Sequence, residues 1–541
     1  MKKSFYIVGL LIIAALFVVP LLHLFWIPNW ADYAAVLKSE NTLKAAKNTL
    51  LVSGCVGLLC LILGLPLSWL LTRTDLPLKS NFRSWFCLPY AIPPFVGAIG
   101  WIILANPVSG VLNQWFGLNL NIYSFWGLVW VEVSFLFTFV LLSALNILDR
   151  MDSSLEEAAR LSGASGLRVF LDIALPILKP AMISGFLLSF LATAASFGVP
   201  ALIGGPARIY LMTTQIYTYQ RMGTAQGMQM SIAVSVLLGL STLVLLYSAQ
   251  MFFGRGKNYT VGGKSSRASL VPLKKWKWPI VTALSALLFV IFVLPILGVL
   301  LSAFSSVQGS WSLSQLSLQN YTRVLFETEE TIRAITQSLM LGLAAAVICT
   351  AFSFFFNYFL HRTNWKGRNI STVAVSIPFS TPGTVLALAF ILTFSQGYFG
   401  FGPSLYNTLA LILLAYIVKY MSLSLKTLGD GYQQIHPSLE EAARISGASW
   451  FRTLFTIYGP LLKTAMMASV FLVFMPVISE LTMTILLTGP GLETIGTLIF
   501  QLQEYSDMGG GGAAVLSSLV VLFILVLNFS LKTLSKGRYG L

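Results

Sequence analysis

Long apolar runs alternate with short polar breaks along almost the whole chain. A helix needs about 20 consecutive apolar residues to cross a bilayer. Twelve stretches meet that length, near residues 5–27, 47–71, 85–105, 123–147, 179–203, 229–253, 278–303, 336–360, 371–395, 405–427, 463–487 and 513–533. This pattern predicts an all-α polytopic membrane protein. Met1-Lys2-Lys3 ahead of the first run resembles the start of a signal peptide. That run is too long for a signal's apolar region, and no small-x-small cleavage site follows, so it is expected to be a span.

The polar breaks differ in charge. Most of the 34 Lys and Arg residues fall on alternate breaks: Lys2 and Lys3; Arg73, Lys79 and Arg83; Arg160 and Arg168; the 254–277 stretch; Arg362 and Arg368; Arg444 and Arg452; Lys532, Lys536 and Arg538. Basic loops stay inside, so these breaks and both termini are expected in the cytoplasm. The net charge of +15 then reflects topology and the anionic lipid surface beside those loops, and no nucleic-acid partner is implied. Only 10% of residues are charged and the mean hydropathy is +0.80. Soluble domains carry about 25% charged residues, which excludes a soluble enzyme.

The spans also repeat. Arg73-Thr74 recurs as Arg362-Thr363, and Pro89 and Pro93 recur at the same offset as Pro378 and Pro382. Gly205-Pro206 recurs as Gly489-Pro490. Six spans per half is an even number, so the halves share one orientation and form two parallel six-helix repeats. The division expected is residues 1–253, a basic Gly/Ser-rich cytoplasmic linker over 254–277, and residues 278–541.

One polar segment repeats almost unchanged. Ser154-Leu-Glu156-Glu157-Ala158-Ala159-Arg-Leu-Ser-Gly163-Ala-Ser returns as Ser438-Leu-Glu440-Glu441-Ala442-Ala443-Arg-Ile-Ser-Gly447-Ala-Ser, with Leu161 against Ile445 as the one difference. Ser154-x-x-Glu157 and Ser438-x-x-Glu441 read as capping boxes, and the acidic pairs suit the positive end of a helix dipole. Gly163 and Gly447 supply the residue that tolerates a left-handed helix end. Short helices are expected over 154–163 and 438–447, with the alanine pairs keeping one face slim enough for another protein to approach. Amphipathic segments follow at Leu167–Leu175 and Phe451–Tyr458, with Pro176 and Pro460 marking the return to membrane. Two copies of a cytoplasmic docking helix imply a two-fold partner.

The spacing Glu157-Ala-Ala-x3-Gly163-x9-Ile173-x-Leu175-Pro176 resembles the signature of bacterial ABC importer permeases. The second copy matches at Glu441, Gly447, Ile457 and Pro460, with Gly459 where leucine is usual. The resemblance covers both halves. It implies a type I ABC importer permease fold in the bacterial cytoplasmic (inner) membrane, whose twin helices couple to two copies of a cytoplasmic ATPase subunit. An external or periplasmic solute-binding protein would deliver substrate. The runs Ser196-Phe-Gly-Val-Pro200-Ala-Leu-Ile-Gly204-Gly-Pro206, Leu211-Met-Thr-Thr-Gln-Ile-Tyr217 and Ser479-Glu480-Leu481 resemble the ferric-iron permeases most. Importers of 2-aminoethylphosphonate, thiamine or polyamine are the alternatives, and an ion-coupled secondary transporter is the rival class.

No ATPase is encoded: Gly263-Lys264-Ser265 lacks the upstream glycine of a phosphate loop, Asn258 standing there. Cys55, Cys60, Cys87 and Cys349 sit in apolar segments without metal-ligand spacing and read as small buried hydrophobes. With three histidines and no nucleophile–base constellation, a non-catalytic chain without cofactors is expected. Polar groups inside spans are candidates for the substrate pathway: Glu132, Glu480 and its counterpart Ser196, with Pro200 beside a possible break. Lys419 is expected about two turns from the cytoplasmic end of its span, its ammonium snorkelling outward. Prolines 89, 93, 94, 200, 378 and 382 either break helices around a cavity or end spans.

Overall fold

In a bilayer each backbone N–H and C=O must be satisfied within the protein, so apolar runs fold as helices. The computed structural model describes residues 2–149, 151, 154–253, 270–363, 368–398, 400–505 and 511–534. The first half runs α1 (Tyr6–Trp26), α2 (Glu40–Arg73), α3 (Lys79–Ala91), α4 (Pro94–Ala105), α5 (Phe125–Leu148), α6 (Ser154–Leu161), α7 (Phe170–Ala195), α8 (Met212–Arg221) and α9 (Ala225–Ser248). The second half repeats that order: α10 (Lys274–Phe304), α11 (Glu329–Arg362), α12 (Ile370–Ser380), α13 (Gly383–Phe394), α14 (Leu409–Gln434), α15 (Ser438–Ile445), α16 (Trp450–Ile478), α17 (Ile495–Tyr505) and α18 (Gly511–Ser530). Each helix of the first half therefore has its counterpart nine places on.

Ten of these helices are long and apolar enough to cross a membrane, and the bent pairs α3–α4 and α12–α13 bring the number to twelve among the described residues. The pairs bend by 95° and 108°, where the sequence predicts continuous spans. Proline explains the breaks. Ile92, ahead of Pro93, is extended (φ −94°, ψ 134°), and Pro93 and Pro382 both hold ψ near the extended range. A residue before proline is driven out of the helical region, and proline itself has no N–H to continue the ladder. Pro89 and Pro378 stay within helical turns.

The first bent pair still joins the two ends of α5. The Arg83 guanidinium on α3 pairs with Asp149 just past the end of α5, while Ile122 near the start of α5 bonds the Ala105 carbonyl at the end of α4 (3.0 Å). The chain thus returns from one face to the other between α2 and α5.

The halves exchange their first spans. α1 packs against α13, with His23 Nδ1 3.2 Å from Thr393 Oγ1, and α10 packs against α4. The second crossing is so close that a Cβ on Gly100 would stand 2.2 Å from the Pro295 carbonyl oxygen. One hydrophobic core runs from α2–α5 into α10 and α18, and the other from α1, α8 and α9 into α11–α16. Neither half buries its apolar surface alone. At the other end of the spans from α6 and α15, Arg221 bonds the Tyr505 hydroxyl and lies 5.2 Å from that ring's centre. These two residues are counterparts in the repeat, so the axis relating the halves passes between them.

Two further expectations are corrected below. Residues 166–195 and 450–478 are helical throughout, so the amphipathic segments run straight into the spans. A π-turn, Phe170–Ala174 or Leu454–Tyr458, precedes each proline and shifts the bonding register so that Pro176 and Pro460 fit. α14 continues to Gln434, which puts Lys419 in mid-span; its ammonium donates to the Thr381 carbonyl freed at the α12–α13 break. The expected capping box also fails at α15: Pro437 is the N-cap, and the Ser438 hydroxyl bonds His436 Nδ1 at 2.8 Å. Gly263-Lys264-Ser265 and residues 254–269 of the expected linker lie outside the described residues.

Candidate functional site

The twin short helices come first, because their surroundings separate the two adjacent glutamates. At 100° per residue, Glu156, Ala159 and Arg160 share one face of α6, and Leu155, Glu157, Ala158 and Leu161 share the other. Glu156 is 1% exposed and Glu440 6%, whereas Glu157, Ala158, Glu441 and Ala442 are exposed and Ala159 and Ala443 half-buried. Leu161 is 90% exposed and Ile445 88%. Both helices end as expected: Gly163 (φ +85°) and Gly447 (φ +78°) are left-handed. Their amides bond Arg160 and Arg444, and those of Ala164 and Ala448 bond Ala159 and Ala443. These are Schellman ends.

The buried faces are anchored to the ends of the spans. Arg73, 3% exposed, closes α2 and donates to the Leu148 (2.9 Å) and Met151 (3.1 Å) carbonyls at and just past the end of α5. Its Nε also lies 3.4 Å from the Glu156 carboxylate, and Arg160 lies 3.8 Å from it. Burial pushes the Glu156 carboxyl above the usual carboxylate range, a shift the two arginines partly oppose. In the second half Arg362 makes the same two bonds, to the Tyr432 (3.0 Å) and Ile435 carbonyls. There Glu440 is held by the Tyr358 and Tyr458 hydroxyls (3.0 Å for Tyr458) and by Arg444. Trp69 and Ala174 occupy the matching first-half positions. The repeated Arg-Thr pair was visible in the sequence, but its tie to the docking helix was not.

A cavity of about 500 Å³ opens between the halves. Its walls include Tyr90, Pro93, Pro94 and Phe95 at the α3–α4 break, Ser196 after α7, and Tyr420, Ser479, Glu480 and Thr482 from the second half. Glu480 is 8% exposed, and its carboxylate accepts from the Met483 and Thr484 amides, each at 2.9 Å, and from the Thr484 hydroxyl. It therefore caps a turn of its own loop while presenting to the cavity. Glu132 does not line this cavity; it is buried in α5 with the Ser196 side chain beside it. Pro200 opens a buried π-turn away from the cavity. Of the four pathway candidates, the structure brings Ser196 and Glu480 together there.

A second chamber of about 530 Å³ lies toward Arg221, lined by Tyr123, Tyr210, Tyr217, Phe500 and Glu504 among others. Phe500 of this lining packs against the buried Phe197, with ring centres 5.5 Å apart. No cluster of three or more His, Cys, Asp or Glu side chains occurs among the described residues.

Ten apolar helices and two bent pairs in two parallel halves, a largely apolar cavity between them with Ser196 and Glu480 in its wall, and paired short helices define a multi-pass membrane transport permease. The chain belongs to the family of binding-protein-dependent transport system inner membrane components, whose profile matches twice, at residues 63–255 and 353–538. It is 24% identical to the ferric transport system permease protein FbpB of Actinobacillus pleuropneumoniae over 91% of this chain and 72% of that protein. A putative ferric transport system permease of Haemophilus influenzae is 25% identical over 80% of this chain and 68% of its own length. The sulfate transport system permease CysT of Escherichia coli is 28% identical over 42% of this chain and 83% of its own.

Proposed function

We propose that this chain is the non-catalytic permease of an ATP-driven ferric-iron importer, working with two copies of a cytoplasmic ATPase subunit and an external solute-binding protein. Both termini lie in the cytoplasm, and the halves 1–253 and 278–541 are joined by the 254–277 linker. The observation that carries the reading is the pair of bare aliphatic side chains, Leu161 and Ile445, at matching points of α6 and α15. Exposed apolar groups ringed by polar ones mark a surface made for another protein. Glu157, Ala158, Gly163, Glu441, Ala442 and Gly447 complete the two docking faces, while Glu156 and Glu440 anchor them.

The mechanism follows from those anchors. Closure of the ATPase pair draws α6 and α15 together. Each is tied to the cytoplasmic ends of two spans, through Arg73 or beside Arg362, so the movement reaches the walls of the cavity. The Arg221–Tyr505 contact then parts, substrate enters from the binding protein, and hydrolysis restores the closed outer face. The cavity offers hydroxyl, phenol and carboxylate oxygens, hard donors that suit Fe³⁺. The Glu480 carboxylate is already engaged by two amides, so it guides a cation without retaining it. The near full-length match to permeases named for ferric transport supports the same cargo.

The test is uptake in proteoliposomes holding the permease, its ATPase and its binding protein. Radiolabelled Fe³⁺ should enter only with ATP, and sulfate, molybdate, 2-aminoethylphosphonate, thiamine and polyamine should not compete. Uptake driven by an ion gradient without ATP overturns the importer mechanism. Import of another solute in place of iron overturns the cargo.

A further inference from the structure

The described end of the linker is not free. The Val271 amide donates to the Arg73 carbonyl (2.8 Å) and the Asp75 amide to the Val271 carbonyl (3.2 Å), a one-rung parallel β-bridge centred on Thr74 and Val271. Asp75 closes the junction. One carboxylate oxygen accepts from the Leu273 amide (2.8 Å), and the other pairs with the Lys277 ammonium (2.7 Å) on the first turn of α10. The Lys277 ammonium and the Leu273 amide hold the Asp75 carboxyl below the usual carboxylate range. Thr74 is fully buried. Val271 also approaches Gly166, just beyond α6: a Cβ on that glycine would stand 3.6 Å from Val271 Cγ1.

The position of this junction gives it meaning. Arg73 bonds the linker through its backbone carbonyl and Glu156 of α6 through its guanidinium. The linker thus grips the residue that anchors one docking helix. It also leads directly into α10, the span that packs against α4 of the other half. Among the described residues no β-bridge engages Thr363, the counterpart of Thr74.

We propose that residues 270–277 are a tie that sets the position of α6 and links it to α10, with Asp75 and Val271 as positioning residues for coupling at that docking helix and not at α15. The coupling part rests on the reading of α6 as an ATPase-docking helix. α10 shares a hydrophobic core with α2–α5, so the tie fastens Arg73, α6 and α10 to one body. The two docking helices are then unequal: α6 is held by the linker junction as well as by its own half, and α15 by its own half alone.

The variants that test the tie are Val271→Pro, which removes the amide bonded to Arg73, and Asp75→Asn, which removes the ion pair but keeps an acceptor for Leu273. Nitroxides are placed at Leu161→Cys or Ile445→Cys, with the four native cysteines replaced. Loss of one such bond shifts a local equilibrium by about fivefold. The label at 161 should gain mobility in both variants by about that factor, while the label at 445 stays unchanged. Unchanged mobility at 161, or an equal gain at 445, overturns the tie. Separately, unlabelled permease with its ATPase and binding protein should lose stimulated hydrolysis by about the same factor, keeping the basal rate. Retained stimulation, where the control Leu161→Asp abolishes it, overturns the coupling role. If Leu161→Asp itself leaves stimulation intact, the docking reading of α6 falls, and the mobility result still decides the tie.

Discussion

The two docking helices show the same outer face and different inner ones. Outward, α6 and α15 present Leu155 or Leu439, Ala158 or Ala442, and Leu161 or Ile445. Inward, Glu156 meets the buried Arg73 in the first half, while Glu440 meets two tyrosine hydroxyls and the half-exposed Arg444 in the second. On the docking role proposed above, one kind of partner constrains both outer faces, and both copies hold one pattern there. The inner face has only to be held, and each half does so with what its own spans supply: Trp69 and Ala174 in one, Tyr358 and Tyr458 in the other. A docking surface can therefore repeat while its support diverges.

The largest effect should come from the shared face. Leu161→Asp with Ile445→Asp places two charges where apolar anchors meet the partner. Loss of a central anchor costs about 2 kcal/mol or more, roughly a thirtyfold loss of ATPase affinity per helix. Measured by pull-down of the ATPase, a double variant binding as well as the unmodified chain would remove the docking assignment. Single variants show whether the two faces bind equally.

Next come the two arginines. Arg73→Ala strips a buried carboxylate of its main partner, a change that costs about 3–5 kcal/mol. Arg362→Ala loses carbonyl bonds but leaves Glu440 its tyrosines, so about 1.5–3 kcal/mol is expected. Hydrogen exchange at residues 155–161 should therefore accelerate far more in the first variant than exchange at 439–445 does in the second. Equal acceleration would mean that the anchors are equivalent after all.

Smaller again are Tyr358→Phe and Tyr458→Phe. Each removes one hydroxyl from Glu440, a loss of about 1.5–3 kcal/mol for a charged acceptor, softened here by Arg444. Exchange should rise at α15 and stay flat at α6; a rise at both sites would show that the helices are not independently anchored.

The smallest effect is on pH. The Glu156 carboxyl is raised in the fold, so the folded state binds its proton more tightly than the unfolded chain does. The stability of α6 should then fall as pH rises from the ordinary carboxylate value, 4.5, through the folded value, and recover on acidification. Exchange at α6, corrected for its intrinsic pH dependence, should slow on going down through that window. Acceleration instead would mean that the ion pair with Arg73 outweighs burial.

Much of the architecture was legible in sequence because it depends on local pattern. Run length located the apolar crossings, and the repeat aligned the halves. Gly163 and Gly447 marked helix ends because a left-handed residue follows from local sterics alone. The site was less legible. The two adjacent glutamates of each frame look interchangeable in the sequence, yet Glu156 and Glu440 face inward and Glu157 and Glu441 outward. Which face turns inward depends on where Arg73 or Tyr358 arrives from a distant span. The second capping box misled because Ser438 sits inside its helix, with Pro437 as the cap at α15.

The sequence by itself determined the membrane class, the parallel repeat and the presence of two near-identical polar frames, since these follow from composition, charge and spacing within short windows. The tertiary structure alone decided the sharp bends, the exchange of α1 and α10, the mid-span seating of Lys419 and the joining of Ser196 to Glu480 across a cavity. It also decided that the linker grips Arg73. These features arise from contacts between residues far apart in the chain, where packing and the demand that every buried polar group find a partner outweigh any local preference.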